Sequence, residues 1–169
     1  MNNDNYILIG MPASGKSTAG VILAKIIGYS FVDCDIVIQN STGKRLSSII
    51  SEKGIDGFIQ TENRINAGLK AHKTVISTGG SAVYGLEEME NFKELGTVIY
   101  LKVDFDELEK RLGDIKARGV VVRDGQSLRD LYNERIPLYE QYADIIIEEK
   151  NSSCEKVIDK IMKKIEPLT

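Results

Sequence analysis

The chain has 169 residues, of which 42% are hydrophobic and 28% charged, and its formal net charge at pH 7 is −3. This length suits one domain, spanning 1–169, with its own hydrophobic core. The acidic excess argues against nucleic acid as a partner, because proteins that bind it usually carry a basic face. The sequence contains no apolar run near the roughly 20 residues that span a bilayer, and its first residues are polar. We therefore expect a cytoplasmic protein with no membrane partner.

Short apolar runs alternate along the chain with segments of helical periodicity. The runs predict strands at 6–10, 30–33, 74–77, 97–101 and 144–147. The periodic segments predict helices at 18–27, 35–40, 46–52, 56–71, 86–95, 106–112, 127–142 and 154–165. This alternation is typical of an α/β fold in which helices cover both faces of a parallel sheet. Its ligand site is expected outside the carboxyl ends of the strands.

A polar, glycine-containing segment at 113–126 carries only weak signals for secondary structure. A mobile lid over the ligand site and a plain surface loop are both compatible with this composition. The sequence pattern alone does not choose between them.

A phosphate-binding loop follows the first predicted strand. The residues Gly10-Met-Pro-Ala-Ser-Gly-Lys16-Ser17 match the pattern G-x-x-x-x-G-K-[ST], and a predicted helix follows. Glycines allow the backbone N–H groups to point at phosphate oxygens, and the helix N-terminus adds positive potential. The lysine would neutralise the β- and γ-phosphates, and the Ser17 hydroxyl would ligate Mg²⁺. The candidate nucleotide-binding residues are Gly10, Ala13, Ser14, Gly15, Lys16, Ser17 and Thr18.

Two carboxylates, Asp33 and Asp35, stand at the carboxyl end of the second predicted strand. On an extended segment, residues i and i+2 share a face, and this strand end is expected beside the phosphate loop. One carboxylate would hold Mg²⁺ through water while the other receives the acceptor hydroxyl. The structural alternative is a strand-end aspartate followed by a helix N-cap at Asp35. The neighbouring phosphate loop favours the catalytic interpretation.

Further motifs join these two along the chain. They are Thr42-Gly43, Phe58 with Glu62, Thr78-Gly79-Gly80, Arg111, and Arg135-x-Pro137-Leu138-Tyr139. In this combination the sequence resembles the shikimate kinase family, from the first strand to about Ala143. The phosphate loop is common to many kinases and ATPases, whereas the combination is far more specific.

The resemblance implies a three-layer P-loop NTPase fold with a lid and a five-stranded parallel sheet of order 2-3-1-4-5. It implies an enzyme that uses ATP and Mg²⁺ to convert shikimate to shikimate 3-phosphate. It also implies an acceptor-binding segment at about 34–71 and a monomeric protein.

The resemblance also implies roles on the donor side of the site. Asp33 would assist Mg²⁺ and the reaction, and Arg111 would lie against the adenine. Arg118 matches the lid arginine that reaches over the phosphates, although Arg123 is a second candidate in the same segment. A lid arginine and Lys16 would both neutralise charge during phosphoryl transfer.

On the acceptor side, the resemblance implies that Asp35 orients the reacting hydroxyl. Gly79 and Gly80 would offer backbone N–H groups to the acceptor. Arg135 would contact the carboxylate or the ring hydroxyls of the acceptor.

One position departs from the family pattern. The family expects an arginine directly after Phe58, where it would bind the carboxylate of shikimate, and this chain has Ile59. Isoleucine offers neither charge nor a hydrogen bond, so a contact to the acceptor is lost. Arg45 and Lys53 are conceivable substitutes that no sequence pattern places at the site.

Two alternatives therefore stand beside a shikimate kinase. The first is a related kinase that acts on a different small acceptor, which the loss at Ile59 would explain. The second is a nucleotide-binding regulatory protein without kinase activity, against which the retention of Asp35 argues.

Overall fold

Five parallel strands form the central sheet of the computed structural model, which describes residues 4–113 and 120–165. In chain order the strands are β1 (Asn5–Ile9), β2 (Ser30–Asp33), β3 (Thr74–Ser77), β4 (Gly96–Val103) and β5 (Ile145–Glu149). They lie in the order β2-β3-β1-β4-β5. This is the strand order that the family resemblance implied.

Seven helices connect or follow the strands in the described residues. They are α1 (Lys16–Ile27), α2 (Cys34–Thr42), α3 (Leu46–Ala67), α4 (Leu86–Leu95), α5 (Phe105–Leu112), α6 (Leu128–Tyr142) and α7 (Cys154–Ile165). A 3₁₀ turn at Ala82–Tyr84, which the sequence did not predict, precedes α4. The two helices predicted at 46–52 and 56–71 form one element, α3, that is interrupted at Gly54 (φ 72°, ψ 179°) and ends earlier than predicted.

The alternation of side chains along β1 divides the core into two layers. Ile7 and Ile9 face a cluster that includes residues of α4, α5 and α6, whereas Tyr6 and Leu8 face α1 and α7. Every residue of β1 is buried, as expected for a central strand that is covered on both faces. Burying each large aliphatic side chain of this kind contributes about 1.5–3 kcal/mol.

Helices α2 and α3 pack against each other around a third, smaller apolar cluster. Its buried members are Ile38, Ile49 and Phe58, and Ile59 and Val121 pack against them. The predicted acceptor-binding segment therefore has an apolar centre of its own. Within the residues that the structure describes, no helix is long and apolar enough to cross a membrane.

Candidate active site

A cavity of about 580 Å³ lies where segments that follow three neighbouring strands meet. The phosphate loop follows β1, Asp35 follows β2, and Gly79 and Gly80 follow β3. Parallel strands bring their carboxyl ends to one edge of the sheet, so three separate stretches of sequence converge there.

The phosphate loop forms one wall of this cavity. Its lining residues are Pro12, Ala13, Gly15, Lys16 and Ser17, and Thr18 lines the cavity beside them. Helix α1 begins at Lys16, and its N-cap Gly15 has a left-handed backbone (φ 87°, ψ 14°) and provides no side-chain cap. The first N–H groups of α1 are therefore left for a ligand, and a helix N-terminus attracts anions.

Two predicted loop residues, Gly10 and Ser14, do not line the cavity and act inside the loop. The Lys16 ammonium donates hydrogen bonds to the carbonyl oxygens of Gly10 (2.8 Å) and Met11 (2.9 Å) and lies 3.4 Å from Ser14 Oγ. Burial lowers the pKa of Lys16 to about 8, and the charge of Asp35 opposes this shift. A bound anion would supply the counter-charge that this buried ammonium lacks.

Ser17, which lines the cavity, contacts Asp33, which does not line it. Ser17 Oγ donates to Asp33 Oδ2 at 2.8 Å and lies 3.1 Å from Ser77 Oγ. Hydroxyl and carboxylate oxygens suit Mg²⁺, which typically takes one or two protein ligands and completes its shell with phosphates and water. The described residues contain no cluster of three or more His, Cys, Asp or Glu side chains that could hold a metal on its own. This donor set therefore fits a Mg²⁺ ion that arrives with a nucleotide.

The structure corrects the predicted geometry of the acidic pair. Asp35 does not continue the extended strand, because α2 begins at Cys34 and Asp35 lies in its first turn. Asp33, rather than Asp35, is the helix N-cap, and its Oδ1 accepts a hydrogen bond from the backbone N–H of Asp35 (3.0 Å). Capping by Asp33 frees the Asp35 carboxylate for the cavity, which it lines. Burial and the charge of Asp33 raise the pKa of Asp35.

Gly79 and Gly80 line the cavity at positions that have no room for a side chain. A Cβ on Gly79 would lie 2.5 Å from Glu62 Oε1 and 3.2 Å from Asp35 Oδ1. A Cβ on Gly80 would lie 2.7 Å from Pro12 Cδ. The double glycine thus allows the β3 loop to pack directly against the phosphate loop and the acidic side chains.

Arg135 also lines the cavity, although only 1% of it is exposed to solvent. It donates hydrogen bonds to the Tyr84 hydroxyl (3.3 Å) and to the carbonyl oxygen of Val121 (3.0 Å). Nearby, the Tyr139 hydroxyl donates to the carbonyl oxygen of Gly80 at 2.7 Å. Tyr139 is fully buried, and the motif that contains it did not predict this contact. Tyr84 gave no signal in the sequence.

A buried carboxylate lies behind the double glycine. Glu62 is inaccessible to solvent, its Oε2 accepts a hydrogen bond from Ser81 Oγ (2.5 Å), and its Oε1 has no partner in the described structure. Burial raises the pKa of Glu62 to about 7. Ile59, one turn earlier on α3, packs with the third apolar cluster and offers no cation to this carboxylate.

The structure describes only part of the predicted lid at 113–126 and only some of the arginines predicted to contact the nucleotide. Arg118 lies outside the described residues, as does most of the first half of 113–126. From the second half, Val121 lines the cavity, and Arg123 forms an ion pair with Asp56 (2.8 Å). Arg111 does not line the cavity; it pairs with carboxylates on α5 and β5 and donates to the Ala13 carbonyl oxygen (3.3 Å) of the phosphate loop.

Known proteins share both this sequence and this fold. The shikimate kinase family model matches residues 12–166. The chain is 34% identical to a shikimate kinase of Persephonella marina, with 95% of this chain and 98% of the relative covered. It is 37% identical to one of Clostridium botulinum, with 95% of each covered. The chain belongs to the shikimate kinase family. Family membership makes it a small-molecule kinase that transfers phosphate to a hydroxyl group.

Solved structures agree with this assignment. A shikimate kinase from Acinetobacter baumannii in complex with shikimate superimposes with a TM-score of 0.87 at 29% identity, over 99% of this chain and 96% of that one. The enzyme from Aquifex aeolicus gives a TM-score of 0.83, also at 29% identity, over 96% of both chains. The expected P-loop kinase fold and the family are therefore confirmed.

Proposed function

We propose that this chain transfers the γ-phosphoryl group of ATP, bound with Mg²⁺, to a hydroxyl of shikimate, giving shikimate 3-phosphate. The observation that carries the proposal is the shared cavity. The phosphate loop lines one part of it, and Asp35, Gly79, Gly80 and Arg135 line another. The relative from Acinetobacter, whose fold this chain shares, is in complex with shikimate.

On the donor side, the uncapped N-terminus of α1 and the Lys16 ammonium would bind the β- and γ-phosphates. Lys16 would exchange its loop carbonyl partners for phosphate oxygens, which restore the charge balance around its buried ammonium. Ser17 and Asp33 would hold Mg²⁺, which neutralises charge on the transferred group and its leaving oxygen. Arg111 near the adenine and Arg118 over the phosphates remain predictions.

On the acceptor side, Asp35 would accept a hydrogen bond from the reacting hydroxyl and then its proton. The hydroxyl oxygen forms a bond to the γ-phosphorus, the bond from phosphorus to the β,γ-bridging oxygen breaks, and ADP leaves. A raised carboxylate pKa suits this role, because proton transfer is most efficient when the base titrates closer to the working pH. Gly79 and Gly80 would donate backbone N–H groups to the acceptor.

The two alternatives are not favoured. A regulatory nucleotide-binding protein has no use for a carboxylate that lines the acceptor part of the cavity, as Asp35 does. A different acceptor is a weaker explanation than shikimate, because the relatives from Persephonella, Clostridium and Acinetobacter, which match nearly the whole chain, are shikimate kinases. A cytoplasmic location and a monomeric state remain predictions from the sequence.

Steady-state kinetics with ATP, Mg²⁺ and shikimate test the proposal. We expect turnover by the natural chain, and we expect Asp35→Asn to lower kcat by about 10²- to 10⁴-fold, the usual contribution of a positioned base. Binding of ATP should change little, because Asp33 and the phosphate loop are intact.

Asp159→Asn is the matched control, since Asp159 is exposed on α7 and does not line the cavity. It should behave as the natural chain does. Absence of turnover at millimolar shikimate, in a protein that binds ATP, would overturn the shikimate assignment. Natural rates in Asp35→Asn would leave the assignment standing and remove Asp35 from the reaction.

A further inference from the structure

The charged side chains that line the cavity differ in whether they already have hydrogen-bond partners in the protein. Among the described residues they are Lys16, Asp35, Arg45 and Arg135. Lys16 is held by the phosphate loop, and Arg135 donates to Tyr84 and Val121. Within the described residues, the Arg45 guanidinium donates no hydrogen bond and forms no ion pair. Arg45 is therefore the lining cation with its whole donor set available to a ligand.

Arg45 is the only basic residue in the described segment 34–71 that lines the cavity. The other basic residues of that segment are Lys44, Lys53, Arg64 and Lys70. The remaining side chains that α3 contributes to the cavity wall are mainly apolar, including Leu46, Ile50 and Phe58. Any anionic group that enters beside α2 and α3 meets a single positive charge from these elements.

Local structure gives no reason for an arginine at this position. Arg45 is the N-cap of α3, and its carbonyl oxygen accepts hydrogen bonds from the N–H groups of Ser48 and Ile49. Its side chain makes no cap, whereas Ser, Thr, Asp or Asn would stabilise the helix there. A cation at a helix N-terminus is also disfavoured by the helix dipole. A residue that breaks two local rules beside a cavity is expected to serve a ligand.

The acceptor requires a positive charge in its binding site. Shikimate is a carboxylate that also carries hydroxyl groups, so its site needs a cation away from the reacting hydroxyl. Arg135 has two of its donor groups occupied by protein oxygens. Ile59 packs with Val121 and Phe58 in an apolar cluster and supplies no positive charge to the cavity.

We propose that Arg45 donates a charge-assisted hydrogen bond to the carboxylate of the acceptor and sets the preference of this enzyme for an acidic acceptor. This inference rests on the proposed function, and it adds a substrate-recognition residue at the start of α3. A guanidinium can bind a carboxylate through two parallel N–H donors, which gives orientation as well as affinity.

The test compares Arg45→Ala with the natural chain in shikimate binding, measured by calorimetry, and in turnover. We expect Arg45→Ala to weaken shikimate binding and raise its KM by about 10- to 150-fold, as expected for the loss of a hydrogen bond to a charged group. The KM for ATP and kcat should stay within about twofold. Arg64→Ala, an exposed arginine on the same helix that does not line the cavity, is the control and should change neither constant.

The methyl ester of shikimate separates recognition of the carboxylate from a general effect of charge. The natural chain should lose as much affinity for the ester as Arg45→Ala loses for shikimate. Arg45→Ala should discriminate between the ester and the acid much less than the natural chain does, because its own contact to the carboxylate is already absent.

The outcomes distinguish this inference from the proposed function. If shikimate is turned over and Arg45→Ala keeps its KM, or raises only the KM for ATP, the inference is wrong and the function stands. If the natural chain binds shikimate through Arg45 but does not phosphorylate it, the function is wrong and the inference stands. If the natural chain does not bind shikimate at all, both are wrong.

Discussion

Glu88 on α4 and Glu62 on α3 form a buried acidic pair behind the active site. Glu88 is inaccessible to solvent, its Oε2 accepts a hydrogen bond from Asn66 (2.7 Å), and its Oε1 has no partner among the described residues. Burial, and the charge of Glu62, raise the pKa of Glu88 from 4.5 to about 9. The folded protein therefore holds a proton on Glu88 at neutral pH.

This proton makes the free energy of unfolding depend on pH. Between the pKa of the unfolded chain and that of the folded chain, the folded state binds more protons, so stability falls as pH rises. The slope for one group is at most about 1.4 kcal/mol per pH unit. From pH 5 to pH 8 the contribution of Glu88 is therefore a loss of at most about 4 kcal/mol.

Glu88→Gln should remove this slope, because glutamine keeps the acceptor oxygen for Asn66 but cannot ionise. Urea unfolding of both proteins at pH 5, 6, 7 and 8, at constant ionic strength, measures the difference between their unfolding free energies. We expect the unfolding free energy of Glu88→Gln, relative to that of the natural chain, to increase steadily as pH rises. The increase from pH 5 to pH 8 should be up to about 4 kcal/mol.

Glu90→Gln is the matched control, because Glu90 lies on the same helix and is exposed. The difference in unfolding free energy between Glu90→Gln and the natural chain should stay constant across the pH range. If the difference in unfolding free energy between Glu88→Gln and the natural chain is also constant, Glu88 ionises equally in the folded and unfolded states. Burial would then not raise its pKa.

Two further predictions concern the contact between the β3 loop and the phosphate loop. Gly80→Ala should raise the KM for the acceptor at least tenfold in steady-state kinetics, because its Cβ would lie 2.7 Å from Pro12 Cδ. Gly68→Ala is the control, since the nearest atom to its Cβ is 3.6 Å away. Equal KM values for the two variants would contradict the prediction. Tyr139→Phe should lower the unfolding free energy by about 1 kcal/mol through loss of its hydrogen bond to the Gly80 carbonyl oxygen, whereas Tyr142→Phe should not. Equal unfolding curves for the two tyrosine variants would show that the Tyr139 hydroxyl contributes nothing.

The elements that the sequence predicted correctly depend on contiguous patterns. The phosphate loop is a run of eight residues whose backbone geometry and chemistry are local, so its motif and its position between β1 and α1 were both predictable. The apolar run of β1 likewise indicated a strand covered on both faces. The break that the sequence predicted between two helices is present as the non-helical backbone of Gly54, whereas the end of α3 at Ala67 comes earlier than predicted, because packing and capping decide where a helix stops.

The geometry of the acidic pair shows the limit of a local pattern. The spacing of Asp33 and Asp35 fits both a strand and a helix start, and the two differ only in where the backbone turns. The hydrogen bond from the Asp35 N–H to Asp33 Oδ1 selects the helix and assigns the cap to Asp33. Asp33 and Asp35 nevertheless lie beside the phosphate loop as predicted, because this proximity depends on strand order rather than on the local conformation.

The chemistry of the acceptor side came from contacts between residues far apart in the chain. The sequence showed that Ile59 lacks a charge, but no spacing rule could bring Arg45 to the same cavity as Arg135. Tyr139 and Gly80 are 59 residues apart, and their hydrogen bond exists because α6 packs across the end of β3. Residues that act together within one turn or one loop leave a mark in the sequence, whereas partners joined by packing are defined by the fold that brings them together.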